Sequence, residues 1–105
     1  MDRRETGAIM QLYRQFKLRE FYEKHRDAKK PLKSWIKAIL RTSWGKFAEV
    51  RQEYAHADLV GNMVVFNIKG NHYRLVVRID YEKQQIIVED IMTHEVYDRN
   101  AWKGN

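Results

Sequence analysis

Apolar residues along the chain first keep a helical period and then a strand period. The stretch "MQLYR" (Met10–Arg14) predicts a short strand. After it, Leu18, Phe21, Tyr22 and His25 fall at i, i+3, i+4 and i+7, one face of a helix. Leu32, Trp35, Ile36, Ile39 and Leu40 repeat the spacing and extend it to i+8. The only proline, Pro31, stands in the first turn of this second helix, where its missing N–H costs nothing. "TSWGKFAEVRQEY" predicts a shorter third helix, with Ser43 as N-cap and Phe47, Val50 and Tyr54 inward. "AHADLVGN" reads as a loop. From Asn62 the period becomes two. Val64, Phe66 and Ile68 alternate with Val65, Asn67 and Lys69, and Gly70-Asn71 is a two-residue hairpin signal. On the return strand Tyr73, Leu75, Val77 and Ile79 share one face, while His72, Arg74, Val76 and Arg78 share the other. "EKQQ" makes a looser turn, "IIVEDIM" a further strand, and "THEVYDRNAWKGN" a polar tail with Trp102 packed back.

This order predicts an α+β domain, with N-terminal helices on one face of a small antiparallel sheet. Residues 1–9 read as a polar extension and residues 10–105 as a single domain, with Met10 an alternative start. The length, 105 residues, suits one core, and a hydrophobic fraction of 44% can fill it. There is no cysteine, which excludes disulfides and thiolate metal sites and fits a reducing compartment. No apolar run approaches the roughly 20 residues that span a bilayer, and the N-terminus lacks the apolar region of a secretory signal. A cytoplasmic protein without a membrane partner is expected.

Charge sharpens the picture. The formal net charge is +6, but residues 1–51 carry +8 and residues 52–105 carry −2. A basic half favours a polyanionic partner, most often nucleic acid. Beside the apolar stripe of the second helix, Lys30, Lys33, Lys37 and Arg41 form a basic one. It is either a solvated face or a surface that tracks phosphates.

No P-loop, dinucleotide fingerprint, G-x-S-x-G or H-E-x-x-H is present. His94 with Asp98, and His56 with Asp58, are pairs too small to make a metal site, so no metal or other cofactor is expected. The remaining chemistry suits RNA, which carries its own nucleophile. Cleavage needs a base for the 2′-OH, cations for the phosphorane and an acid for the departing 5′-oxygen. Lys69, His72, Arg74, His94 and Tyr97 supply those residue types. In a meander, the start of the return strand and the end of the next strand meet at one sheet end. Each residue also has a structural alternative: Arg74 as an ion-pair partner of Glu89 or Asp90, Lys69 as protection for a strand end, His72 as a solvated turn residue, His94 as a cap for the tail, and Tyr97 as half-buried core with its hydroxyl in water.

The motif "VVFNIKGNHYRLVVRIDY", followed by "THEVYD", resembles the HigB family of bacterial toxins, within the RelE/ParE superfamily. "LREFYEKHRDAKKPLKSW" and "FAEVRQEYAHADLVGN" resemble it too, so the likeness covers about residues 10–103. It implies a RelE/ParE-like α+β fold and a metal-independent endoribonuclease that cuts mRNA at the translating ribosome. The products would carry a 2′,3′-cyclic phosphate and a 5′-hydroxyl. The resemblance also implies a HigA-like antitoxin with a helix-turn-helix domain, through which alone the pair would contact operator DNA. Position by position, it assigns Arg74 to the scissile phosphate and His94 to general acid or phosphate ligand. Tyr97 falls to base stacking or proton transfer, and Asn71 and Lys69 to substrate positioning. His72 has no motif support. The basic stripe would meet ribosomal RNA. Because the superfamily also holds gyrase-poisoning toxins, a non-catalytic binding toxin is the alternative.

Overall fold

The computed structural model describes residues 9–99, so Trp102 and nearly all of the expected N-terminal extension lie outside the described residues. In chain order the elements are β1 (Gln11–Tyr13), α1 (Phe16–Lys24), a 3₁₀ turn (Arg26–Ala28), α2 (Lys29–Ile39) and α3 (Phe47–Glu53). β2 (Asp58–Val60), β3 (Met63–Ile68), β4 (Tyr73–Asp80), β5 (Gln85–Thr93) and α4 (His94–Asp98) follow. The five strands form one sheet in the order β1-β5-β4-β3-β2. The α+β class is as the periodicity predicts, with the sheet mixed rather than purely antiparallel: β1 runs parallel to β5.

Three further differences have local causes. The expected loop at 55–62 contains β2, three residues too short to show an alternation, paired antiparallel to β3. The polar tail opens with α4, whose first turn is capped by Thr93, the side chain accepting from Val96 N at 3.3 Å. Ser43 does not cap α3. That helix starts at Phe47 after an extended Lys46, and Glu49 instead accepts from Gly45 N at 3.0 Å.

One face of the sheet carries α1 and α2. Leu18, Leu32, Trp35 and Ile39 pack onto Val64, Phe66, Leu75, Val77, Ile86 and Val88. Phe66 lies at the centre of an aromatic group, 5.4 Å from Trp35, 5.1 Å from Tyr54 and 6.2 Å from Trp44 between ring centroids. Gln84, only 1% exposed, ties the β4–β5 turn down by donating to the carbonyls of Trp44 (2.6 Å) and Tyr81 (2.7 Å). The opposite face is open apart from α4, whose Val96 and Tyr97 cover a small patch of Val65, Val76 and Met92.

A β-bulge in β5 sets which side chains reach that open face. Val76 pairs with Asp90 but Val77 with Val88, which leaves Glu89 as the extra residue. Ile86 and Val88 face the helices, and beyond the bulge the inward residue is Ile91. Met92 therefore turns to the open face, and α4 follows it there. Lys17 of α1 donates to the bulged Glu89 carbonyl at 2.9 Å, so this irregular backbone oxygen is not left unpaired.

Candidate functional site

The β3–β4 hairpin turns at Gly70-Asn71, as its sequence predicts. His72 N donates to Lys69 O at 3.2 Å, and Gly70 takes the positive φ of +61° that this turn requires. The turn positions Asn71 to hold Arg74, the second residue of β4. Arg74 Nη2 donates to Asn71 Oδ1 at 2.6 Å, and Nη1 to the carbonyls of Asn71 (3.1 Å) and Tyr73 (3.3 Å). Asn71 thus grips the end of the guanidinium. The side edge, Nε with the second hydrogen of Nη2, has no acceptor among the described residues. That edge is the fork that binds a phosphate through two parallel hydrogen bonds. Arg74 does not pair with Glu89 or Asp90; it is Arg78 that takes Glu89, at 3.1 Å.

His94 and Tyr97 come to the same sheet end through β-sheet register. Arg74 pairs with Met92, Tyr73 with Thr93, and His94 N donates to His72 O at 2.9 Å. His94 and Tyr97 stand three apart on α4, on neighbouring positions of its surface. The Arg74 guanidinium lies over the Tyr97 ring, 5.7 Å from its centroid. Burial raises the Tyr97 phenol above its usual range, Asp58 and Asp98 add to the rise, and Arg74 opposes it. Tyr97 is therefore a protonated phenol at neutral pH, suited to donate or stack rather than to take a proton. His94 is half-buried, its Nδ1 3.4 Å from Asp98 Oδ2 and its Nε2 3.4 Å from Glu95 Oε1. Both contacts are long, so substrate can displace them at little cost.

Lys69 does not join this group. Its Nζ is 2.7 Å from Asp27 Oδ2 in the 3₁₀ turn on the helix side of the sheet, and the Tyr73 hydroxyl donates to the other oxygen of Asp27. One carboxylate therefore fastens the hairpin, and with it Asn71, to the helical layer. Lys69 has a φ of +53°, costly for a residue with a side chain, and the ion pair helps to hold it there. The hydrogen bond to Asp27, and then burial, push the Tyr73 phenol up to about 12. Folding favours its protonated form, so this contribution is complete below pH 10 and vanishes as pH rises through about 12. The hydrogen bonds from Lys69 and Tyr73 hold the Asp27 carboxyl below its usual 3.8; its contribution is present above that pH and lost as pH falls through the lowered value. Ultraviolet titration should find one phenol ionising near 12, and Asp27→Asn should bring it back toward 10. A tyrosine titration unchanged by Asp27→Asn would contradict this arrangement.

Lys33, Lys37 and Arg41 are exposed. They lie beside the buried stripe of α2, on the outer side of the helical layer, with the sheet between them and Arg74. None is in an ion pair among the described residues. His72 is a turn residue, its Nδ1 2.9 Å from Lys69 O. Among the described residues no three His, Asp or Glu side chains gather in a way that would hold a metal ion. No helix among them is long and apolar enough to cross a membrane.

Residues 28–100 match the profile of the HigB toxins, the RelE-like toxic component of a toxin-antitoxin system. The chain belongs to the HigB toxin family. Two relatives extend the likeness. The mRNA interferase toxin HigB of Escherichia coli (strain K12) is 27% identical over 92 residues, 85% of this chain and 88% of that protein. The mRNA interferase HigB of Shigella flexneri matches to the same extent.

As a HigB toxin the protein has a cognate antitoxin for a partner. Arg74, Asn71, His94 and Tyr97 fall within the matched span. Two acidic residues that hold cations on the sheet and its hairpin escape motif reasoning. Asp27 had a visible signal: it is the only acid between Glu23 and Glu49, in a strongly basic stretch. Glu89 had a weaker one, the break in period two between Val88 and Ile91.

Proposed function

We propose that this toxin is a ribosome-associated, metal-independent endoribonuclease that cuts mRNA by attack of the 2′-OH on the adjacent phosphate. The observation that carries the reading is the Arg74 guanidinium, oriented by Asn71 and Tyr97, with its two-hydrogen edge unspent among the described residues. A cation held this way before substrate arrives stabilises phosphorane charge without reorganising. In the proposed reaction Arg74 binds the non-bridging oxygens of the scissile phosphate. The 2′-hydroxyl gives up its proton to solvent water and its oxygen bonds to phosphorus, the bond from phosphorus to the 5′-oxygen breaks, and that oxygen leaves with a proton, which we assign to His94. Tyr97, protonated, stacks against the adjacent base or donates to the phosphate. The products are a 2′,3′-cyclic phosphate and a 5′-hydroxyl. Asn71 acts by holding Arg74. Lys69, spent on Asp27, acts only through the hairpin, which revises the substrate-positioning role expected for it.

The placement of the basic stripe supports a division of labour. Lys33, Lys37 and Arg41 face away from Arg74, so they serve docking to ribosomal RNA while the open sheet face meets mRNA. The antitoxin is proposed to be HigA-like, with a helix-turn-helix domain that carries the pair to operator DNA. The reading is tested by incubating translating ribosomes with the toxin and analysing the RNA ends. Cyclic phosphates and 5′-hydroxyls are expected; 5′-phosphates with 3′-hydroxyls, the ends left by metal-activated water, would refute it. Changing Lys33, Lys37 and Arg41 together to Gln should leave folding intact and flatten the salt dependence of ribosome binding, by up to roughly 2 in log–log slope. An unchanged slope would make the stripe a solvated face.

A further inference from the structure

The open sheet face continues beyond Arg74. Four residues along β4, roughly 13 Å away at strand spacing, Arg78 stands on the same side. It is in register with Ile87 of β5, which is in register with Tyr13 of β1. Tyr13, Arg14, Phe16, Arg78, Gln85 and Ile87 line an open depression of about 530 Å³ at this edge. Three separate features mark it. Tyr13 and Phe16 are 43% and 59% exposed, two large rings left in water side by side with charge. Arg14, between them, has a φ of +67°, a conformation that a non-glycine residue keeps only where its surroundings hold it. Glu89 Oε1 accepts from Arg78 at 3.1 Å and lies 3.6 Å from Arg14 Nη1, so one carboxylate aligns two guanidinium groups and leaves a net positive charge. The Tyr13 hydroxyl donates to Gln11 Oε1 at 2.8 Å, which fixes its ring.

We propose that this depression is a second RNA-binding subsite, which takes a base and a phosphate of the single strand as it runs on from the nucleotide held at Arg74. The proposal rests on the RNA-cleaving reading of the Arg74 site. Exposed aromatic faces accept a base of any sequence, arginines take the phosphate, and the amide of Gln85 reaches a base edge. An acidic peptide finds only one uncompensated charge here and no use for the ring faces. Between the two subsites Val76 and Met92 lie beneath Val96 and Tyr97 of α4, so in the proposal the strand passes over the outer side of this short helix. Tyr13, Arg14 and Phe16 precede the span matched by the family profile, whereas Arg78, Gln85 and Ile87 lie within it.

The test titrates the full chain with fluorescein-labelled 2′-O-methyl RNA of four and of ten nucleotides, which has no free 2′-OH to attack. The longer RNA is expected to bind at least about tenfold more tightly. Tyr13→Ala with Phe16→Ala should weaken the longer RNA about fivefold or more and leave the shorter unchanged. Tyr13→Phe with Phe16→Trp should keep the gain, which separates stacking from a fold defect. Equal affinity of the double alanine variant for the longer RNA, or no binding of either RNA, overturns the proposal. So does a labelled polyglutamate peptide that needs these rings when RNA does not, which would make the depression a protein-docking surface. Cleavage is read separately on transcript ends. A length gain that survives in a chain without cleavage sinks the nuclease reading alone; cleavage without a length gain sinks the subsite alone.

Discussion

Arg74→Ala is expected to lower RNA cleavage by about 10²-fold or more, the usual loss when a preorganised charge on the reacting centre is removed. The fold should hold. Arg74 is half-buried and among the described residues its hydrogen bonds go to Asn71 and to a strand-end carbonyl, so the change in stability should stay within about 0.5 kcal/mol. Arg74→Lys should recover little, because a lysine presents a point charge rather than the paired hydrogens of the open edge. Both variants are compared in cleavage assays with circular dichroism melts alongside. Full activity in the alanine variant would remove Arg74 from the site. A collapsed melt would make the residue structural.

The largest effect on stability should come from Phe66→Ala. Phe66 is 1% exposed and touches the rings of Trp35, Trp44 and Tyr54. Those neighbours are held by two helices and a loop and cannot collapse onto the space it leaves. Loss of a buried phenylalanine typically costs about 3–5 kcal/mol. Against a total of about 5–15 kcal/mol, that is a large share of what keeps a domain folded. Urea unfolding should show the midpoint falling with an unchanged slope. A loss below about 1 kcal/mol would mean that the aromatic group does not organise the core.

The helices and the hairpin were legible because their signals are local. The stripe of Leu32, Trp35, Ile36 and Ile39, the first-turn proline, and Gly70-Asn71 each determine structure within a few residues. β2 and α4 are too short to carry a period, and β1 gives no sign that it runs parallel to β5, 74 residues on. Register explains why Arg74, His94 and Tyr97 come to one end of the sheet, and a meander makes that arrangement readable in outline. The position of Lys69 was not readable, because its partner Asp27 lies 42 residues earlier and across the sheet. The division of the positive charge into two faces was equally hidden. Lys33 and Arg74 are both basic in the sequence, and only the packing of α2 on the sheet separates them.

The central claim is that this toxin cuts mRNA during translation through Arg74. Its most direct test is 5′-end mapping of transcripts after brief induction of the wild-type chain and of Arg74→Ala in growing cells. The account predicts new ends within translated frames, bearing 5′-hydroxyls, in the wild type and not in the variant. Growth arrest with intact transcripts would contradict it and make the protein a binding toxin on the same fold.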